Sequence, residues 1–278
     1  MSFFFHDQQE YYYADFGQGD PVVLLHGLGN TGRAWLQQVP ALLAAGYRVI
    51  VPDLAGHGAS AGLQAPMSPA MQAKAIIRLL EHLGLDCADI VGLSLGGMVA
   101  LELTIAAPEV VNRLVVAGTF YRLDTPNDRG MLDDWCQALA QPHGCLKRFE
   151  ATWPLLVGER FMDTAQGLAA YQAWHAQAAK DNHSNHLHWC AGLRGYNVEA
   201  ELASIRRPTL VTYADQDRIS PRRISRQIAA MIPNSECVGI ANDGHVFNVS
   251  ASDEFNRTLV GFLGTTHAAG SPLTSFSV

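Results

Sequence analysis

Ser94 lies in a run of small and apolar residues whose spacing is typical of an activated serine. Residues 92–96 read G-L-S-L-G, a pattern that holds a serine hydroxyl exposed on a sharp turn between a strand and a helix. The preceding residues 89–91 have the character of a buried strand, and residues 95–107 that of an apolar helix ended by Pro108. The sequence therefore predicts a nucleophile at position 94.

A serine hydroxyl is a weak nucleophile at neutral pH, so it needs a base within hydrogen-bond reach. His245 is the predicted base because it stands in a loop after the predicted strand 236–240. Gly244 precedes it and is expected to allow the turn that aims the imidazole at Ser94.

An acid must orient that base. Asp217 follows the predicted strand 208–214 and is the predicted acid, with Asp215 and Asp124 as the alternatives. Open α/β sheets place their sites at the carboxyl ends of parallel strands. We therefore expect the serine, the acid and the base to converge at one edge of the sheet.

The negative oxygen of a tetrahedral intermediate needs preorganised donors. The backbone N–H of Leu95 is one predicted donor because it opens a helix, where the dipole also helps. The N–H of Leu28 is the second, in a loop that Gly27 and Gly29 allow to fold towards the substrate.

Other polar residues in loops of similar character are expected to brace them. His26 is predicted to make loop hydrogen bonds, and Asp53 and His57 to hold the loop 52–58. Three further histidines lie close together in the sequence: His183, His186 and His188. Their spacing does not match a known metal-binding motif, so no metal site is expected there.

Strand-like and helical segments alternate along the chain and predict an α/β fold with a doubly wound, mostly parallel sheet. The predicted strands cover residues 3–7, 11–16, 21–26, 47–52, 88–93, 113–117, 208–214 and 236–240, the first two as a hairpin at one edge. Predicted helices cover residues 68–83, 95–107, 221–232 and 253–263.

Residues 122–197 contain no convincing strand and are predicted to form a helical lid inserted between two core strands. The core would then comprise residues 1–121 and 198–264, with a loose tail over 265–278. The lid holds four of the five tryptophans, which we predict to line the substrate pocket, with packing inside the lid as the alternative for any one of them: Trp135, Trp153, Trp174 and Trp189.

Composition excludes several classes of partner. The 278 residues carry a net charge of −7 and no basic cluster that would neutralise a row of phosphates, so nucleic-acid binding is not expected. No apolar run is long enough to span a membrane, and no signal peptide is recognised.

The cysteines indicate where the protein is located. Five widely spaced cysteines without a C-x-x-C motif are typical of free thiols in a reducing cytoplasm, which is the predicted location.

The ordered motifs, from the strand before His26 through Gly58, Ser94 and Asp217 to His245, resemble those of the α/β-hydrolase superfamily. The resemblance covers nearly the whole chain apart from the lid and tail. The resemblance implies the α/β-hydrolase fold and the roles given above for Ser94, Asp217, His245, Leu28 and Leu95. It also implies that the reaction needs no cofactor. Esterases and lactonases, including 3-oxoadipate enol-lactonase-like enzymes, are the most similar members, whereas dehalogenases and epoxide hydrolases carry Asp at the position of Ser94.

These features together predict a serine hydrolase that cleaves a small or medium carboxylic ester, thioester or lactone through an acyl-enzyme. Two alternatives stay open. The same three residues could cleave a carbon–carbon bond or transfer an acyl group, or the fold could serve as a ligand-binding protein without turnover. A small-molecule substrate is the only predicted partner, and the oligomeric state stays open.

Overall fold

The structure is a computed structural model, which describes residues 2–241 and 243–265. Eight strands form one sheet. They are β1 (Ser2–His6), β2 (Gln9–Phe16), β3 (Pro21–Leu25), β4 (Arg48–Pro52), β5 (Ala88–Leu93), β6 (Val111–Ala117), β7 (Thr209–Ala214) and β8 (Ser235–Ile240).

The strands lie in the order β1-β2-β4-β3-β5-β6-β7-β8. β1 and β2 form an antiparallel hairpin, and β2 also pairs antiparallel with β4. Every other pairing is parallel. The predicted doubly wound, mostly parallel sheet is therefore confirmed, with β1 at the edge and β2 between β1 and β4.

The described residues form eleven α-helices. They are α1 (Gln38–Ala44), α2 (Pro69–His82), α3 (Leu95–Ala106), α4 (Pro126–Leu139), α5 (Gly144–Leu156), α6 (Glu159–Met162), α7 (Ala165–Ala178), α8 (His183–Leu193), α9 (Arg222–Met231), α10 (Phe247–Ser250) and α11 (Ser252–Leu263). The predicted cap of α2 is present, since the Ser68 hydroxyl accepts a hydrogen bond from the N–H of Met71.

The core consists of two apolar layers, one on each side of the sheet. Alternate residues of β3 show the division, because Val23 and Leu25 pack in one cluster while Val22 and Leu24 pack in the other. All four are fully buried, as expected for a parallel strand covered on both faces. Burial of the strands from both sides holds their carboxyl ends in fixed relative positions.

Helices α4 to α8 stand between β6 and β7, in the segment predicted to be a lid. An isolated antiparallel bridge joins Arg122 to Asn197 at the two ends of this segment. Proline inside α5, at Pro154, is one source of its irregular helical pattern. Among the described residues, no helix is both long and apolar enough to cross a membrane. The tail predicted over 265–278 lies, apart from its first residue, outside the described residues.

Candidate active site

Ser94 occupies the sharp turn between the end of β5 and the start of α3. Its backbone has φ 54° and ψ −116°, a left-handed conformation that non-glycine residues rarely adopt and that recurs at functional turns. The Ser94 N–H donates to the carbonyl of Ala117. This turn directs the residue towards a cavity that the Ser94 side chain helps to line.

Glycines at positions 92 and 96 make the turn possible. A Cβ on Gly92 would lie 2.2 Å from the carbonyl oxygen of Gly96, and a Cβ on Gly96 would lie 2.1 Å from that of Leu25. Both distances are far below van der Waals contact. The small residues of the motif are therefore required by the close approach of backbone segments, as the sequence predicts.

His245 and Asp217 form a buried pair at the carboxyl ends of β8 and β7. The two groups meet at 2.8 Å between His245 Nδ1 and Asp217 Oδ2. The other carboxylate oxygen accepts hydrogen bonds from the N–H groups of Ile219 and Ser220, both at 2.8 Å. A proton on Nδ1 then satisfies Asp217 and leaves Nε2 as the basic nitrogen of the ring.

The two alternative acids lie elsewhere. Asp124 accepts hydrogen bonds from Arg122 Nε at 2.7 Å and from Asn197 Nδ2 at 2.9 Å, near the bridge that closes the inserted segment. Asp215 is exposed, and its N–H donates to the carbonyl of Ile240. The carboxylate that contacts His245 is that of Asp217.

A cavity of about 290 Å³ opens at this edge of the sheet. Ser94 and His245 both line it. Among the described residues, no hydrogen bond joins the Ser94 hydroxyl to the His245 ring, and the side-chain bond of His245 is the one to Asp217. Proton transfer needs a contact between the Ser94 hydroxyl and the His245 imidazole. That contact is part of the mechanism proposed below and is not a hydrogen bond of this structure.

Leu28 and Leu95, the predicted oxyanion donors, also line this cavity. Leu95 is the first residue of α3, so its N–H has no acceptor within the helix. Leu28 lies in a turn in which the N–H of Asn30 donates to the carbonyl of Gly27. Among the described residues, neither leucine N–H has a hydrogen-bond acceptor, which leaves both available to a ligand.

The residues predicted to brace the loops do so. His26 Nε2 accepts from the N–H of Leu54, and His57 Nε2 accepts from the N–H of Gly29. Burial lowers the pKa of His57 well below its usual value, with His26 and His186 adding to the effect. The ring therefore stays neutral and can accept the Gly29 bond.

Asp53 braces the same region from the loop after β4. Its two carboxylate oxygens accept hydrogen bonds from the N–H of Gly32 at 2.7 Å and from the N–H of Ala59 at 2.9 Å. Asp53 is thus a structural residue, as the sequence predicts. It bonds to Gly32, which follows the loop that carries Leu28 and Gly29, and makes no bond to those two residues.

The four tryptophans of the inserted segment divide into two pairs. Trp135 and Trp174 line the cavity. Trp153 and Trp189 do not, so their predicted place in the pocket is wrong. Trp189 is fully buried against the core, where its indole N–H donates to the carbonyl of Ala55 at 2.8 Å. Trp153 is buried in an aromatic cluster with three neighbours: Phe149, Tyr171 and Trp174.

Sequence reasoning missed two residues at the end of β6. Gly118 has φ +49°, and a Cβ there would lie 3.2 Å from Asp217 Oδ2 and 3.4 Å from His245 Nδ1. The hydroxyl of the next residue, Thr119, donates to the carbonyl of Ser94 at 2.7 Å. A Gly-Thr pair directly after a buried strand was the available signal.

Asp243 was also missed as a site residue. Its Oδ1 accepts hydrogen bonds from the N–H of Gly158 and of Gly244 and from the Ser250 hydroxyl. Burial raises the pKa of this carboxyl. Asp243 thereby ties the loop of His245 to the connection between α5 and α6. Its neighbour Asn242 lies outside the described residues.

Arg148 and Asp181, both from the inserted helical segment, also line the cavity. No motif marks either of them in the sequence. Within residues 2–241 and 243–265, no group of three or more His, Cys, Asp or Glu side chains is arranged to hold a metal ion.

A family model described as "Alpha/beta hydrolase family" matches residues 22–258. The chain belongs to the alpha/beta hydrolase family. The match covers β3 from its second residue, every strand from β4 to β8, and Ser94, Asp217 and His245.

Relatives of this hydrolase extend the match to nearly full length. A protein of Serratia proteamaculans named "Putative carbamate hydrolase RutD" is 32% identical over 94% of this chain and 99% of its own. Among solved structures, a hydrolase from Pseudomonas aeruginosa PA01 has 28% identity and a TM-score of 0.86, and covers 95% of this chain and 98% of its own. We conclude that the chain is an enzyme of the hydrolase class.

A more distant solved structure shares the fold. The enol-lactonase from Burkholderia xenovorans LB400 has a TM-score of 0.88 at 21% identity, and covers 95% of this chain and all of its own. Identity at that level shows the fold of this hydrolase and carries no information on its substrate.

Proposed function

We propose that the protein hydrolyses a small or medium carboxylic ester, thioester or lactone through an acyl-enzyme on Ser94. The observation that carries the proposal is the buried Asp217–His245 pair, because His245 lines the same cavity as a serine on a left-handed turn. A base held in one orientation by a carboxylate, beside a serine on such a turn, suits acyl transfer.

In the proposed first step, Ser94 Oγ attacks the substrate carbonyl while its proton passes to Nε2 of His245. The carbonyl oxygen becomes negative and accepts hydrogen bonds from the N–H groups of Leu28 and Leu95. Asp217 stabilises the imidazolium. When the tetrahedral intermediate collapses, His245 gives the proton to the leaving alcohol or thiol, and the acyl group stays on Ser94.

In the proposed second step, His245 removes a proton from water, and the resulting hydroxide attacks the acyl carbonyl. The same two N–H groups bind the second oxyanion. Collapse releases the carboxylic acid and returns the proton to Ser94. A lactone follows the same path, except that its alcohol stays attached to the acyl group.

We propose further that helices α4 to α8 act as a lid over this cavity. The inserted segment contributes lining residues from several helices, among them Met131, Trp135, Arg148 and Trp174. A covering segment excludes water from the site and strengthens the electrostatic interactions inside it. Under this proposal residues 1–121 and 198–264 form the catalytic core.

Carbamates are a second candidate substrate class, because a full-length relative at 32% identity is named for carbamate hydrolysis. A carbamate presents a carbonyl that a serine can attack in the same way. Nitrogen donation makes that carbonyl less electrophilic than an ester carbonyl, so the ester remains the preferred proposal.

The test compares the wild-type protein with Ser94→Ala on five substrates of similar size: an ester, a thioester, a lactone, a carbamate and a β-diketone. We expect turnover that depends on Ser94, with kcat/KM for at least one of the first three at least tenfold above the other two. A faster β-diketone reaction would replace the proposal with carbon–carbon cleavage. A faster carbamate reaction would favour the second candidate, and the absence of Ser94-dependent turnover would overturn both.

A further inference from the structure

Arg148 places a positive charge on the wall of the cavity that holds Ser94. It stands in α5 and lines the cavity together with Ser94 and His245. The guanidinium lies over the ring of Trp135, with 4.8 Å between Cζ and the ring centroid. A Cβ built on Gly29 would lie 3.6 Å from Arg148 Nη1. The charge is therefore beside the loop that carries Leu28.

This guanidinium has no counter-ion among the described residues. No ion pair or side-chain hydrogen bond of Arg148 occurs there, and its Nε is shielded from solvent without a partner. Burial lowers the pKa of Arg148, but an arginine side chain stays protonated in proteins. Arg148 is half-buried, and a charge with one shielded and unpaired nitrogen is incompletely compensated, so a negatively charged ligand group would stabilise it.

The neighbouring thiols do not supply the missing negative charge. Burial raises the pKa of Cys145 to about 11 and that of Cys190 to about 12. Both cysteines are free and stay protonated at neutral pH. The interaction with Arg148 opposes these increases but does not overcome them.

The carboxylate on the cavity wall is already engaged. Asp181 Oδ1 accepts a hydrogen bond from Gln177 Nε2 at 2.7 Å, and its Oδ2 lies 3.6 Å from His186 Nε2. Arg218, also on the lining, adds a second positive charge on an exposed residue. Among the described lining residues there are thus one engaged carboxylate and two guanidinium groups.

A second shielded polar atom points to the same place. His186 Nδ1 is buried without a partner, and a Cβ built on Gly29 would lie 3.8 Å from it. Arg148 Nη1 and His186 Nδ1 therefore approach the same short stretch of loop from the inserted helices. Two unpaired polar groups that converge on one wall of a substrate cavity indicate a binding site for a polar group of the ligand.

We propose that Arg148 binds a carboxylate group of the substrate, so that the enzyme acts on esters or lactones that carry a negative charge. This inference rests on the proposed esterase function of the same cavity. A guanidinium matches a carboxylate with two parallel N–H···O bonds, which gives orientation as well as affinity. Arg148 is then a specificity residue that positions the scissile carbonyl near Ser94 and takes no part in the bond changes.

The test uses two pairs of esters that differ in charge, because the carboxylate could belong to either half of the substrate. The acyl pair is 4-nitrophenyl hydrogen adipate and 4-nitrophenyl hexanoate. The alcohol pair is 3-acetoxybenzoate and phenyl acetate. For each pair the ratio of kcat/KM, anionic over neutral, is measured after subtraction of the uncatalysed rate.

We expect the wild-type ratio to exceed one in at least one pair, and Arg148→Gln to reduce that ratio about tenfold or more. Arg148→Lys keeps the charge and should retain more of the ratio than the glutamine variant. The control is Lys147→Gln, which removes one positive charge from an exposed neighbour on the same helix and should leave the ratio within twofold of wild type.

Three results would overturn the inference: a wild-type ratio below one in both pairs, an unchanged ratio in Arg148→Gln, or an equal loss in Lys147→Gln. The first result needs only the wild-type protein, so the inference can be overturned even if Arg148→Gln fails to fold. Failure of the proposed function is distinguishable, because then neither the neutral nor the charged ester shows turnover that depends on Ser94.

Discussion

Gly118 leaves just enough room for the carboxylate of Asp217. A Cβ at position 118 would lie 3.2 Å from Asp217 Oδ2, the oxygen that contacts His245 Nδ1. The next residue, Thr119, bonds to the carbonyl of Ser94 through its hydroxyl and accepts a bond from the Ser220 hydroxyl at its own carbonyl. The short segment after β6 is therefore in contact with all three parts of the candidate site.

Gly118→Ala should impair catalysis beyond its effect on stability. The left-handed backbone at position 118 would disfavour alanine by about 1–2 kcal/mol, and the new Cβ would press on the Asp217–His245 pair. We expect kcat for a 4-nitrophenyl ester to fall about tenfold or more, because small misplacements of catalytic groups are costly.

Gly84→Ala is the matched control for that variant. Gly84 also has a left-handed backbone, with φ +66°, but a Cβ there meets nothing within 4 Å. It should lose a similar free energy of unfolding, measured with urea, and keep its kcat. Equal kcat values for the two variants would show that the contact at Gly118 is unimportant.

Asp217→Asn should lower kcat strongly, although by less than Ser94→Ala or His245→Ala, which should each lower it about 10⁴-fold or more. An amide at position 217 no longer stabilises the imidazolium. Asp124→Asn is the comparison, because Asp124 is bonded to Arg122 and Asn197 instead. Near-full activity of Asp217→Asn together with a loss in Asp124→Asn would refute the assignment of the acid.

Trp174→Leu and Trp189→Phe should differ in which property they change. Trp174 lines the cavity, so its loss should raise KM for aryl esters. Trp189 is fully buried and donates to Ala55, so its replacement should lower the free energy of unfolding by about 1–3 kcal/mol. KM should stay within twofold of wild type in Trp189→Phe. The reverse pattern would contradict the division of the tryptophans.

Asp89 should make the stability of the fold fall as pH rises from 4 to 6. Burial raises the pKa of this carboxyl from 3.8 to about 6, although Arg113 and Asn112 oppose the shift. In that pH range the folded chain holds a proton that the unfolded chain has released. The free energy of unfolding should therefore decrease with rising pH, on the order of 3 kcal/mol in total from this group.

Urea unfolding of the wild type and Asp89→Asn at pH 4, 5, 6 and 7 measures that contribution. Asparagine does not titrate, so the difference in unfolding free energy, wild type minus variant, should decrease across the range. The ion pair between Arg113 and Asp89, with 3.1 Å between Nη1 and Oδ2, opposes the rise in pKa and is already contained in the value of about 6. A difference that stays constant or rises between pH 4 and 6 would refute the raised pKa.

Much of the fold and the main site residues could be predicted because local chemistry determines them. Near-continuous apolar runs identify parallel strands, and loops at their carboxyl ends meet at one edge whatever their separation in sequence. Asp217 and His245 stand 28 residues apart and meet for that reason. The glycines around Ser94 are likewise set by backbone contacts within the motif.

The inserted segment was harder to interpret because side-chain direction on its helices has no signal in sequence. Nothing in the sequence distinguishes the four tryptophans from one another. In the structure, Trp135 and Trp174 line the cavity while Trp189 packs on the core. Arg148 carried no motif either. Its unpaired charge becomes evident only when the residues around it, which are distant in sequence, are seen to lack a counter-ion.

Labelling with a fluorophosphonate tests the central proposal most directly, because such probes react with a serine only when a base activates it. Intact-mass analysis and peptide mapping of the wild-type protein should show one adduct, located on Ser94. Ser94→Ala should show none, and Asp217→Asn should react more slowly. A wild-type protein that stays unlabelled, or that carries the adduct on another residue, would contradict the account.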